Sequence, residues 1–176
     1  MKTTKKVFVR NIMVFISMII IVGLGILIYL KSSSYPITES NKRKVEKINS
    51  TLSSVSADIN QIEKFSKNEN EKNKVMELEQ KAMEDIGELD LLLENFKFKK
   101  TPDKGLLLWI NCAFASKDAY LMNLSSYSSG DSKGNNEFNS NASNYINEGL
   151  KEMKKKDENA YRYFKRNGYF EGFYNQ

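Results

Sequence analysis

No histidine occurs anywhere in this sequence; cysteine and tryptophan occur once each and proline twice. Without histidine there is no Ser-His or Cys-His nucleophile system, and the commonest transition-metal ligand is missing. The lone Cys112 cannot close an internal disulfide, so packing alone must hold any fold together. Nor can a single cysteine on an apolar helix build a structural zinc site. Free cysteines are among the most buried residues, and Cys112 is expected in the core. No Gly-rich phosphate loop, G-x-S-x-G elbow, Asp-x-Asp-x-Asp-Gly calcium loop or internal repeat is present. The chain is therefore expected not to be an enzyme, and to need no metal and no cofactor.

Basic excess is also missing where it would matter. The formal charge is +5, from 27 basic and 22 acidic residues. Lys2, Lys5, Lys6, Arg10 and Lys31 account for all of it, because no acidic residue precedes Glu39. From residue 32 onward the charges balance. A nucleic-acid partner needs a basic face that displaces counterions from phosphates, so none is expected.

What the sequence does have is one long apolar run. Ile12 to Leu30 is nineteen residues without a charge. At about 1.5 Å per helical residue it reaches roughly 28 Å, the hydrocarbon thickness of a bilayer. Flanking positive charge stays on the cytoplasmic side, which places the N-terminus inside and the remainder outside, although Lys42, Arg43, Lys44 and Lys47 blunt the asymmetry. A cleaved signal peptide has a shorter apolar core and a small-x-small site, whereas Ile28, Tyr29 and Leu30 make a poor one. A retained anchor in the plasma membrane is expected.

Four amphipathic stretches come after it. Val45, Ile48, Leu52, Val55, Ile59, Ile62 and Phe65 recur at gaps of 3 and 4, as do Val75, Leu78, Ala82, Ile86, Leu89, Leu93 and Phe96. Asn68 to Asn73 is polar and separates them. Thr101-Pro102-Asp103 reads as a helix start with Thr101 as cap. The third stretch, from Leu106 to Leu124, is apolar over a broad face and should be the most buried helix. Ser125 to Asn136 reads as a loop. The fourth stretch runs from Phe138 through Ala142, Tyr145, Ile146, Leu150, Met153 and Ala160 to Phe164 as one helix, stopped at Asn167-Gly168. Short connections favour an all-α, up-down-up-down antiparallel four-helix bundle.

The expected organisation is a cytoplasmic N-terminus at 1–11, a transmembrane helix at 12–30, a linker at 31–37, an extracytoplasmic bundle at 38–168 and an aromatic tail at 169–176. Acidic residues crowd the second helix and basic residues the fourth, the ordinary pattern of solvated faces. The tail has two readings. Tyr169, Phe170, Phe173 and Tyr174, with Lys165 and Arg166, could lie at the lipid headgroups, or the rings could cover the end of the bundle. Trp109 and Tyr120 are candidates for a ligand pocket between helices.

In architecture alone, an anchor followed by an extracytoplasmic helical bundle is similar to bacterial sensor domains. Those return through a second span, and no second apolar span is present here. The expected function is a single-pass, non-catalytic membrane protein whose bundle binds a cell-envelope protein and whose anchor sits in the lipid bilayer. The alternative is a small-ligand-binding, sensor-like module that acts with a separate signalling protein.

Overall fold

The computed structural model describes residues 35, 37–94, 96, 103–129 and 132–174. The apolar run at Ile12–Leu30, its flanks and Thr101-Pro102 lie outside the described residues. Among the described residues no helix is long and apolar enough to cross a membrane. The chain divides at Tyr35/Pro36 into two units, and every described helix belongs to the unit from Pro36 onward.

Five α-helices and no strand are found among the described residues: α1 (Glu39–Phe65), α2 (Lys72–Glu94), α3 (Lys104–Ser129), α4 (Ser132–Lys156) and α5 (Glu158–Arg166). The fold is all-α. Thr38 opens α1, its side chain accepting from the Asn41 amide at 3.2 Å and satisfying one of the unpaired first-turn donors. Asn68 opens the 3-10 turn Glu69–Glu71 that separates α1 from α2. Asp103 caps α3, accepting from the amides of Gly105 at 2.9 Å and Leu106 at 3.3 Å. An aspartate there also opposes the positive end of the helix dipole.

Two expectations are corrected by the fourth stretch. The loop foreseen at Ser125–Asn136 is largely helical, because α3 continues to Ser129 and α4 begins at Ser132. The single fourth helix is broken at Asp157. That residue leaves helical geometry (φ −151°, ψ 76°) and its carboxylate accepts from the Ala160 amide at 3.0 Å, so it starts a new helix instead of continuing the old one. The α5 stop has Gly168 at φ +70°. The Tyr169 amide donates to the Phe164 carbonyl at 2.9 Å and the Gly168 amide to that of Lys165 at 3.2 Å, the bond pair of a Schellman cap.

Helices α1 and α2 run antiparallel, and so do α3 and α4. Lys47 meets Glu88 at 3.1 Å while Asp58 meets Lys81 at 2.7 Å, so positions rise along α1 as they fall along α2. Cys112 reaches the Ile146 carbonyl at 3.8 Å and Asn123 meets Asn139, the same order in α3 and α4. Helix α3 also lies against α1 and α2, and α5 folds onto α4 and α3.

The seam residues Val45, Ile48, Leu52, Val55, Ile59 and Ile62 of α1 are buried, as are Ala82, Ile86, Leu89 and Leu93 of α2. Trp109, Ile110, Cys112, Ala113 and Tyr120 of α3 are buried as expected of the most apolar helix. Phe138 and Tyr145 depart from the α4 reading and are exposed, whereas Ile146, Leu150 and Met153 face inward.

Candidate functional site: a tyrosine-lined cleft beside the C-terminal turn

The aromatic residues after Gly168 fold back into the helices. Tyr169, Phe170, Phe173 and Tyr174 are between 2 and 9% exposed. The rings therefore turn inward, the second of the two placements drawn from sequence. Lys165 and Arg166 stay exposed at the end of α5.

The cause is a matched set of buried partners. Trp109 Nε1 donates to the Tyr169 carbonyl at 2.7 Å, and the Tyr120 hydroxyl donates to the Gly172 carbonyl at 3.1 Å. The Tyr174 amide donates to Ser116 Oγ at 3.2 Å, and the Tyr169 hydroxyl to Glu46 Oε1 at 2.9 Å. Asn49 holds both ends of the turn: Nδ2 donates to the Gly168 carbonyl at 3.2 Å, and Oδ1 accepts from the Gly172 amide at 3.4 Å. Backbone groups without helical partners are thus satisfied by side chains of α1 and α3. Trp109 stacks on Phe164 (centroids 5.7 Å apart, planes 15°) and contacts Phe173 at 5.6 Å.

Beside this turn lies a cleft of about 300 Å³. Ser56, Ile59, Asn60 and Glu63 of α1 form one wall, and Tyr120, Asn123 and Tyr127 of α3 another. Glu171, Phe173 and Tyr174 of the turn close it. Three tyrosines, a phenylalanine and two carboxylates line the space, and none of its lining residues is a lysine or arginine. Burial pushes the Tyr120 hydroxyl above its ordinary value, opposed by a hydrogen bond with Ser56 and reinforced by Tyr174. The Tyr127 hydroxyl is raised by burial and then by the charge of Glu63. Asn123 Nδ2 donates to the Tyr174 hydroxyl at 3.2 Å, and Asn139 Nδ2 in turn donates to Asn123 Oδ1. Tyr120 and Tyr127 are thus held neutral, and the fixed charge of the cleft is negative.

Of the two residues singled out as pocket candidates, Tyr120 lines the cleft and Trp109 does not; Trp109 is fully buried behind Phe173. The tail residues Phe173 and Tyr174 join it, whereas Tyr169, Phe170, Lys165 and Arg166 do not. Sequence reasoning missed Tyr127, Glu63 and Glu171. A signal for two of them was present: Ser56, Asn60 and Glu63, and likewise Tyr120, Asn123 and Tyr127, recur at helical spacing on one face.

Two buried charges were also unforeseen. The Asp58 side chain is 5% exposed and is held by Lys81, itself 55% exposed, at 2.7 Å. Lys117 is buried and held between Asp90 and Asp118. Each charge has an opposite partner, as burial requires. Among the described residues no group of three or more His, Cys, Asp or Glu side chains could hold a metal ion. Burial pushes the Cys112 thiol up to about 12, which keeps it protonated and unreactive.

A second surface stands out on α2. Met76, Met83 and Leu91 are between 49 and 63% exposed. Their spacing of 7 and 8 keeps them on one side of the helix, beside the face that buries Ala82, Ile86 and Leu89. The chain matches no known family model, no curated protein and no solved structure.

Proposed function

We propose that this chain is a single-pass, membrane-anchored, non-catalytic protein whose extracytoplasmic domain binds another cell-envelope protein. The domain is an up-down-up-down four-helix bundle with its fourth helix broken at Asp157. The outward stripe of α2 carries the proposal. Met76, Met83 and Leu91 present flexible apolar side chains to solvent, and Glu77, Glu84 and Glu94 flank them. Methionine adapts to irregular surfaces, and exposed apolar stripes rimmed by charge mark docking sites. A partner helix with an apolar face and basic flanks has the complementary chemistry.

The test is photo-crosslinking from position 83 on intact native cells, with parallel labelling by a membrane-impermeant amine reagent. The expected result is one reproducible protein adduct, lost in a Met76→Glu/Leu91→Glu variant, with lysines after Lys31 labelled and Lys2, Lys5 and Lys6 protected. Absence of an adduct from a correctly oriented chain overturns the docking role. Labelling confined to Lys2, Lys5 and Lys6 overturns the orientation. The cleft supports a second reading, a small-ligand module acting with a separate signalling protein.

A further inference from the structure

We infer that the cleft between α1, α3 and the 168–174 turn binds a small organic ammonium ion, through a site separate from the α2 stripe. Four observations converge on that ligand class. Tyr120, Tyr127, Tyr174 and Phe173 stand in the walls, with half-buried Tyr127 the most open of the four, and an aromatic ring attracts a cation without requiring it to be dehydrated onto oxygen ligands. Glu63 and Glu171 add two carboxylates, and neither is ion-paired with any described residue. No basic side chain of the lining competes for them.

The cleft's size selects within the cations. At about 300 Å³ it sits at the small end of ligand-binding clefts and is far larger than a bare metal ion. Among the described residues no group of three or more His, Cys, Asp or Glu side chains could hold such an ion. An alkylammonium head fits both the volume and the mixed aromatic and carboxylate lining. Hydroxyl and amide groups at Ser56, Asn60 and Asn123 can accept or donate to a polar tail. The same cleft disfavours anions, since both its fixed charges are negative.

The molecule carries its own reporter. Trp109 is the only tryptophan, it is fully buried, and its ring lies 5.6 Å from Phe173, which lines the cleft. Occupancy that shifts Phe173 changes the surroundings of Trp109.

The test is titration of the full-length chain in a non-ionic detergent with choline and with its uncharged carbon isostere, 3,3-dimethylbutan-1-ol. Isothermal calorimetry measures affinity and Trp109 emission gives a second readout. The expected result is saturable choline binding, with the isostere at least about tenfold weaker because only its charge differs. Glu63→Gln/Glu171→Gln is expected to weaken choline about tenfold while leaving the helical content unchanged, since both carboxylates are exposed. Tyr127→Leu, which keeps an apolar wall but removes a ring, is expected to weaken choline about fivefold. Equal binding of the two probes overturns the proposal in favour of a merely apolar cleft. Failure of both to bind at millimolar concentration overturns it outright. So does choline binding that neither variant alters, which would place the cation elsewhere. None of these outcomes bears on crosslinking from position 83.

Discussion

A methyl group added at Gly172 would lie 2.7 Å from both the Asn49 carbonyl oxygen and Leu52 Cβ, and neither atom moves unless α1 does. Gly172→Ala is therefore expected to destabilise the domain by about 1–3 kcal/mol, the usual range for overpacking, as measured by urea unfolding. Gly149 is tight in another way, since its added Cβ would meet Cys112 Sγ at 2.7 Å. There the obstacle is a single side-chain atom. Gly149→Ala is expected to lose stability, and Cys112→Ala in the same chain to restore part of it. Additive losses in that double-mutant cycle would disprove the contact. Cys112 also gives a pH signature. Its thiol rises from 9.0 to about 12 in the folded chain, so the unfolded chain loses its proton first. The stabilisation is fully present below pH 9 and is lost as pH climbs through the folded value. Urea midpoints between about pH 9 and 11 should fall more steeply for the natural chain than for Cys112→Ala. The Asp58–Lys81 pair should be lopsided. Lys81→Met strands a buried carboxylate and should cost about 1–3 kcal/mol, whereas Asp58→Asn leaves only a solvated ammonium and a polar amide, and should cost less.

Among the elements, the break at Asp157 sets where the aromatic core forms. It allows α5 to turn away from the α4 axis and bring Phe164 flat onto Trp109. Asp157→Ala removes the acceptor for the Ala160 amide and is expected to cost about 1 kcal/mol, with Trp109 emission shifted red if Phe164 is displaced. Unchanged emission would show that the packing, not the cap, places α5. This break was not legible in the sequence, although the seams of α1 and α2 were. Regular gaps of 3 and 4 report one buried face, and both helices carry that pattern without interruption. The fourth stretch keeps nearly the same apolar spacing across Asp157, so periodicity alone reads straight through the cap. The α3/α4 loop was misread for a related reason. Ser, Asn and Gly between residues 125 and 136 disfavour helix only weakly, and packing between the two helices outweighs that preference. The cleft was half legible. Tyr120 was visible as a polar-tipped residue on the most apolar helix, but Glu171, Phe173 and Tyr174 reach the site through a turn that no spacing rule announces.

For the molecule as a whole, the C-terminal turn takes part in closing the core. Helix α1 has α2 and α3 as its helix neighbours, and residues 168–174 pack on it as well through Asn49, Glu46 and Leu52. Truncation after Gly168 would uncover Trp109 and Tyr120 and remove four buried rings. The shortened domain is expected to lose cooperative unfolding and to bind a hydrophobic dye; a sharp transition at the natural midpoint would show that the turn is dispensable. The bond from Trp109 to Tyr169 also has a consequence in time. A ribosome adds about 5–20 residues per second, so Phe173, sixty-four positions after Trp109, is made several seconds later. Through that interval the most apolar helix exists without the rings that cover it. Its folding thus waits until residues 169–174 have been made, and any factor that shields the emerging chain has those seconds, and that one face, in which to act.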